Sequence, residues 1–188
     1  MKCLMALTVA LFANAAFALP LEMIFDYSQL LESVKDQARV QMIDWKVGDR
    51  GNYNVDMGFI KGTMVMHVRE YVEEGPWVEQ NVDIMGQKQK VEILFDQTDG
   101  SIIRLLVNGQ KQDVPEQNVE IEEMQEANIT VPAGTFDCVY VKIRDLDKDE
   151  TSEAWINPSE IPISGMLQNK APSQFGTVTL QLTDFLKQ

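Results

Sequence analysis

Turn signals divide the chain from Trp45 onward into short segments, and this division constrains the fold more than any other feature. Glycines, Asp-Gly, Asn-Gly and Pro-Ala-Gly recur every 8 to 15 residues, and apolar side chains alternate with polar ones between them. Asn108-Gly109 supplies the positive φ angles that tight hairpin turns need. In TVTLQLTDF, Val178, Leu180 and Leu182 point to one side of the segment and more polar side chains to the other. This pattern predicts antiparallel strands with one buried face.

Several further segments share the period of two. Their apolar rows are Met64, Met66 and Val68; Val78, Val82 and Ile84; and Val91, Ile93 and Phe95. Val119 to Val131 is predicted to form either a strand pair or one long strand. Phe136 to Ile143 is predicted to form a strong strand, and Glu153 to Ile156 is expected to pair with it. The chain shows no internal repeat and no flexible linker. We therefore predict a mainly β fold, a strongly curved antiparallel sheet or half-barrel of about ten strands.

The N-terminus has the features of a secretory signal peptide. Lys2 precedes an uncharged apolar run, and Ala16-Phe17-Ala18 forms an A-x-A cleavage signal. We expect residues 1–18 to be removed and residues 19–188 to form a single β-rich domain. Because Leu19, and not a cysteine, follows the cut, no lipid anchor is expected. No later segment is apolar enough to span a membrane, so the mature protein is predicted in the periplasm, with secretion as the second choice.

One amphipathic helix is predicted between the signal and the first strand. Asp26 to Met42 carries an apolar stripe at helical spacing, with charged residues on its other face. The helix is expected to pack on the sheet.

The charge balance bears on partners. Without Lys2 the chain keeps 15 basic and 29 acidic residues, a net charge near −14. Such a surface repels nucleic acid and anionic membrane surfaces. A basic partner or a neutral ligand remains compatible with it.

The candidate chemical groups favour structural roles. Cys138 is the one cysteine of the mature chain and alternates with Phe136 and Tyr140, so a buried, unreactive thiol is expected. His67, the only histidine, lacks the further ligands that zinc needs. No cofactor motif and no catalytic constellation is evident, although an acidic pair among the carboxylates stays open. An enzyme is therefore the least favoured class.

Asp145, Asp147 and Asp149 alternate as in the opening of a calcium loop. The sixth position is Glu150 where an EF-hand needs glycine, and the twelfth is Ile156 where it needs glutamate. The segment is expected to form a solvated hairpin tip, with a weak calcium site as the alternative.

The signal, helix and β meander resemble the periplasmic half-barrel group of the lipoprotein carriers LolA and LolB. The segment VPAGTFDCVYVKI is similar to a turn and strand in related exported bacterial β-barrel families, in which a later segment also resembles EAWINPSEIPISGML. The motif resemblance covers Val131 to Leu167. It implies a cavity between sheet and helix that holds a lipid or an acyl chain, and it assigns no individual residue. The strong acidity departs from what an anionic headgroup would require.

The methionines and tryptophans are the candidate lining of such a cavity, because the flexible thioether of methionine adapts to irregular apolar ligands. The predicted lining residues are Trp45, Met57, Met64, Met66, Trp155 and Met166. Ordinary core filling is the alternative for each of them. The functional expectation is a binding protein for a lipid or an acylated protein. The alternative is an envelope structural or interaction protein with a filled core.

Overall fold

A computed structural model describes residues 44–114, 118–173 and 176–188. The predicted signal peptide and the helix predicted at Asp26 to Met42 lie outside these residues. Within the described part the protein is all-β, and no helix there has the length and apolarity needed to cross a membrane.

Eleven antiparallel strands form one sheet, close to the ten or so predicted. They are β1 (Arg50–Met57), β2 (Ile60–Tyr71), β3 (Pro76–Ile84), β4 (Gln87–Phe95), β5 (Ile102–Val107), β6 (Gln110–Gln112), β7 (Val119–Val131), β8 (Gly134–Asp145), β9 (Glu150–Ile156), β10 (Met166–Ser173) and β11 (Gly176–Leu186). Their order is β6-β5-β4-β3-β2-β1-β11-β10-β9-β8-β7, so β6 and β7 are the edges of an open, curved sheet.

The predicted alternation sets the two faces of the sheet. Tyr53 in β1 lies opposite Met64 in β2 and Leu182 in β11, and all three are buried. Their neighbours along each strand point the other way, towards solvent. We call the face that carries these three side chains the inner face and the opposite one the outer face. The strands therefore form because one set of alternate side chains leaves water.

The sheet curls towards its inner face. The amide of Ala133, in the turn between β7 and β8, donates a hydrogen bond to the carbonyl of Leu182 in β11 at 3.1 Å. Phe185 lies opposite Gly51 on the inner face, and the ring of Phe136 packs against it with centroids 6.3 Å apart. Because β9 and β10 lie between the strands joined in this way, the sheet must be strongly curved. The half-barrel prediction is confirmed.

Two tight hairpin turns share one backbone geometry. Asn108 and Gly109 have φ values of 51° and 77°, as the Asn-Gly signal predicts. Met85 and Gly86 have φ values of 53° and 82°, with methionine at a position that usually favours Asn or Asp. Met85 is 78% exposed, so packing of its side chain does not explain why methionine occupies this turn position.

The segment before β1 closes one end of the interior. Val68 donates its amide to the carbonyl of Asp49 at 2.9 Å, and the hydroxyl of Tyr71 donates to the carbonyl of Trp45 at 2.6 Å. These bonds hold the indole of Trp45 edge-on against the ring of Phe95, with centroids 5.2 Å apart. Trp45 is thereby buried at the end of the sheet.

Candidate functional site

The inner face is a continuous apolar surface that runs across the middle strands. Its deeply buried members on β1 to β5 and β11 are Tyr53, Val55, Met64, Met66, Val68, Val78, Ile93, Phe95, Leu105 and Leu182, each 2% exposed or less. They come from β1 to β5 and β11, which neighbour one another in the sheet. Apart from glutamine and asparagine side chains, this surface offers dispersion contacts and little else.

Five of the six predicted lining residues lie in this apolar interior. Met57, Met64 and Met66 project from β1 and β2, Met166 lies at the start of β10, and Trp45 closes the end of the sheet. The hydroxyl of Tyr53 in β1 donates to the carbonyl of Met166 in β10 at 3.2 Å and so connects these two strands across β11, which lies between them.

Trp155 is the exception among the six. In β9 it alternates with the buried Ala154 and Ile156, and its register partners are Tyr140 and Gln168 on the outer face. It is half-buried there and does not face the same space as the methionines. The segment EAWI is apolar on both sides, so its alternation alone does not decide which side is inner.

Polar side chains interrupt the inner face at a few points. Gln80 in β3 is 3% exposed and lies opposite Met66 and Val91, and Gln89 in β4 is 8% exposed and lies opposite Val82. Asn169 in β10 is 7% exposed and donates to the carbonyl of Glu153 at 3.3 Å. Gln80 fills the gap in the predicted apolar row between Val78 and Val82, and this gap is the sequence signal of a polar residue on the inner face.

An aromatic cluster with a cation surrounds Trp155 on the outer face. The rings of Trp155 and Tyr140 have centroids 5.0 Å apart, and the ammonium of Lys170 lies 5.1 Å from the Trp155 centroid. The Tyr140 hydroxyl donates to a carboxylate oxygen of Glu153 at 2.9 Å. Burial, followed by this bond to an anion, raises the pKa of Tyr140 to about 12.

A second outer cluster is built on β2 to β5. Arg69 and Arg104 both lie over the ring of Trp77, at 5.3 Å and 5.9 Å from its centroid. Arg69 also pairs with Glu92, whose side chain is 12% exposed and which Lys90 approaches to 3.4 Å. The cluster is a satisfied charge network, which indicates a structural role.

Lys90 links this network to the carboxylate beside His67. Its ammonium lies 2.9 Å from Glu79, which faces His67 across β2 and β3. Burial by itself would raise the pKa of Glu79, but hydrogen bonds from Lys90 and Asn81 outweigh it and lower the pKa. His67 lies on the outer face and is half-buried.

The three aspartates fall at the turn between β8 and β9, so the predicted hairpin is confirmed. Asp145 accepts from the amides of Asp147 and Lys148 at 2.9 Å and 3.0 Å, which shapes the turn. Asp149 pairs with Arg144, while Asp147 accepts from the amide side chain of Asn118. Within the described ranges, no three His, Cys, Asp or Glu side chains are grouped as a metal would require.

Cys138 is buried in β8, as expected for a core thiol. It lies opposite Ala127 in β7. Burial, assisted by the charge of Asp137, raises the pKa of the thiol. A raised pKa leaves little thiolate at neutral pH, so nucleophilic chemistry at Cys138 is not favoured.

Strand β7 is a long edge. It pairs with β8 along its length, and no described strand pairs with its other side. Its exposed side chains include Glu120, Glu122, Glu123 and Glu126.

No family model and no curated protein matches the chain. Among solved structures it is similar to a protein from Bacteroides fragilis NCTC 9343 described as exported and of YmcC-like fold, with 11% identity and a TM-score of 0.41, covering 78% of this chain and 99% of that one. It is also similar to MucB, with 12% identity and a TM-score of 0.43, covering 86% of this chain and 58% of that one.

MucB in the MucA/MucB complex of Pseudomonas aeruginosa gives 14% identity and a TM-score of 0.46, covering 86% of this chain and 57% of that one. The chain thus spans somewhat more than half the length of the MucB chains. At these identities and scores, none of the three similarities bears on what this chain does.

Proposed function

We propose that this chain is an exported binding protein that holds an apolar ligand, a lipid or an acyl chain, against the inner face of its half-barrel. One observation supports the proposal above the others. Four methionines, Met57, Met64, Met66 and Met166, line the interior of a curved sheet that is open at its edges. Flexible thioethers let such a surface adapt to chains of varied shape.

Binding would be driven by the removal of apolar surface from water. Each buried CH₂ group contributes about 0.8 kcal/mol, so a long acyl chain provides ample driving force before the cost of ordering it. The proposed lining is Trp45 with the four methionines, while Trp155 lies on the other face. Binding without catalysis is proposed, because the polar groups described above are engaged in pairs that shape turns and strands.

The proposed location is the periplasm, with secretion as the second choice, and it rests on the signal predicted at residues 1–18. The ligand would be a free lipid or the acyl group of a modified protein. A negatively charged surface favours neutral ligands over anionic ones.

Tryptophan quenching by a brominated acyl chain tests this proposal. The Trp77→Phe, Trp155→Phe double variant keeps Trp45, at the end of the inner face, as its one tryptophan. The matched Trp45→Phe, Trp155→Phe variant keeps Trp77 on the outer face. Stoichiometric quenching of Trp45 with little change at Trp77 is the expected result. Equal quenching of both, or none of either, contradicts the proposal.

The second candidate is an envelope interaction protein with a filled core. The open edge of β7 favours it, because an unpaired strand edge can pair with an extended segment of another chain. A photo-crosslinker placed at the exposed Gln125 should then capture an envelope protein, whereas one at the exposed Thr98 should not. Capture specific to Gln125, together with absent acyl-chain quenching, would favour this candidate over the first.

A further inference from the structure

Two neighbouring hairpin turns present large apolar side chains to solvent. Phe59 lies in the turn between β1 and β2 and is 88% exposed, and Met85 lies in the turn between β3 and β4 and is 78% exposed. Among the described residues these are the two most exposed large apolar side chains. Because Gly62 in β2 pairs with Ile84 in β3, the two turns lie side by side at one end of the sheet.

We call these two turns, residues 58–59 and 85–86, the apolar tips. They protrude into open space, because a Cβ at Gly58 or Gly86 would meet no other atom within 4 Å. The backbone of Met85 is left-handed, with a φ of 53°, a conformation that Asn or Asp adopts more readily than methionine. Neither packing nor turn geometry therefore accounts for methionine at this position, whereas contact with an apolar medium outside the chain does.

The apolar tips lie in a locally neutral part of a strongly acidic chain. Residues 56–62 and 83–88 hold two lysines and two aspartates, whereas the whole chain carries a net charge of −13. Both aspartates already accept hydrogen bonds from backbone amides of the turns. The lysines, Lys61 and Lys88, are exposed. The charge around the tips therefore does not oppose contact with a zwitterionic lipid surface.

An apolar row leads from the tips to the inner face. Met57 and Ile60 form the pair that closes the turn between β1 and β2. Ile84 lies opposite Gly62, where a Cβ would be 2.7 Å from its side chain, so this isoleucine covers the position at which β2 has no side chain. Ile60 and Ile84 both pack against the core that includes Met57. Apolar surface is thus continuous from the exposed tips to the methionines proposed to line the interior.

We propose that the apolar tips dock this chain on the surface of a lipid bilayer, with the side chains of Phe59 and Met85 inserted between the headgroups of a zwitterionic leaflet. A bilayer fits these turns because it admits protruding apolar groups without a matching groove and requires no directional hydrogen bond. Docking of this kind goes beyond the proposed function and does not require the inner face to take a ligand. Where the inner face does take one, docking places the apolar row at the membrane from which a lipid would enter.

Co-sedimentation of the full mature chain with phosphatidylcholine vesicles tests this docking. The unaltered protein should partition onto the vesicles. The Phe59→Ser, Met85→Ser variant should partition at least about tenfold more weakly, because it loses the apolar burial of both side chains in the bilayer. The matched control, Val47→Ser, Leu186→Ser, removes two exposed apolar side chains at the opposite end of the sheet and should bind as the unaltered protein does.

Lipid composition separates apolar docking from attraction between charges. Because the chain as a whole is acidic, replacing part of the phosphatidylcholine with phosphatidylglycerol should weaken binding of the unaltered protein at low salt. Added salt should reverse this loss, since it screens the repulsion. Binding that requires the anionic lipid would contradict docking through the tips.

The remaining outcomes also decide the matter. If the unaltered protein does not partition onto phosphatidylcholine vesicles, the docking is wrong, even where quenching of Trp45 shows that the inner face binds an acyl chain. Equal partition of the unaltered protein and the Phe59→Ser, Met85→Ser variant overturns it, and so does an equal loss in the control variant. Both tip substitutions are at exposed positions, so the urea midpoint of unfolding should stay close to that of the unaltered protein. The result for the unaltered protein stands by itself if the variant does not fold.

Discussion

The amide of Ala133 donates to the carbonyl of Leu182 at 3.1 Å, which joins the turn between β7 and β8 to β11 across two intervening strands. Beside this bond the rings of Phe136 and Phe185 meet edge to face. Few other contacts between the described residues join these distant strands, so the hydrogen bond and the ring contact stabilise the curl of the described sheet.

Removing either ring should loosen the curl. Phe136→Ala or Phe185→Ala is expected to lower the free energy of unfolding by about 1–3 kcal/mol, since both rings are half-buried. A double-mutant cycle, measured by urea denaturation, should give a coupling energy of about 0.5–1.5 kcal/mol. Phe59→Ala, at a position 88% exposed, is the control and should change stability by less than about 0.5 kcal/mol. Additive effects of the two core variants would show that the ring contact does not hold the curl.

Much of this fold could be predicted because the inner rows are regular. Val178, Leu180 and Leu182 are all buried, and Thr179 and Gln181 between them are not, as a period of two requires. Val119 to Val131, left open between one strand and two, is a single strand paired along β8 with one bulge. Local alternation specifies a strand and its faces, because burial acts on each side chain separately.

Other features depend on contacts that local sequence does not encode. Strand β10 (MLQNKAPS) buries Gln168 and Asn169 next to its apolar start, so its polarity does not alternate. Its register is set by β9 and β11, on either side of it. Trp155 lies on the outer face because the pairing of β9 with β8 and β10 determines which side of the segment EAWI faces inward. The alternation therefore predicted that Met64 and Met66 share the apolar face, while a ligand-lining role for the methionines stays a prediction. It did not predict the buried Gln80, where a polar residue breaks an apolar row.

The contribution of the charge network beside Trp77 to stability should depend mainly on Glu92, its least exposed member. Glu92→Gln removes the carboxylate that pairs with Arg69 and Lys90, and a loss of about 1–3 kcal/mol in unfolding free energy is expected. Glu70→Gln is the matched control, because Glu70 also pairs with Arg69 but its side chain is 51% exposed. That change should cost less than about 1 kcal/mol and should matter less in high salt. Equal losses in the two variants would show that burial of Glu92 adds nothing.

Two glycines with similar backbone angles should respond differently to alanine. Gly165 has a φ of 70°, and a Cβ there would lie 2.6 Å from backbone atoms of Pro158. Gly86 has a φ of 82° with open space around it. Gly86→Ala should cost about 1–2 kcal/mol for the left-handed conformation alone. Gly165→Ala should cost at least about 1 kcal/mol more, because backbone must move to admit the methyl group. Thermal unfolding of the two variants measures this difference, and equal shifts in Tm would contradict it.

Tyr140 should make stability depend on alkaline pH. Its pKa is raised to about 12 in the folded protein, while an unfolded tyrosine titrates near 10. Below about pH 10 both states hold the proton, and the stabilising contribution is fully present. Between about pH 10 and 12 the unfolded state has lost the proton and the folded state keeps it, so the free energy of unfolding falls as pH rises.

Urea denaturation at several pH values in this window should show a steeper fall for the unaltered protein than for Tyr140→Phe. The comparison removes the contribution of Tyr71, whose pKa is also raised, because both proteins contain it. Parallel pH profiles would mean that the hydrogen bond from Tyr140 to Glu153 does not control this titration.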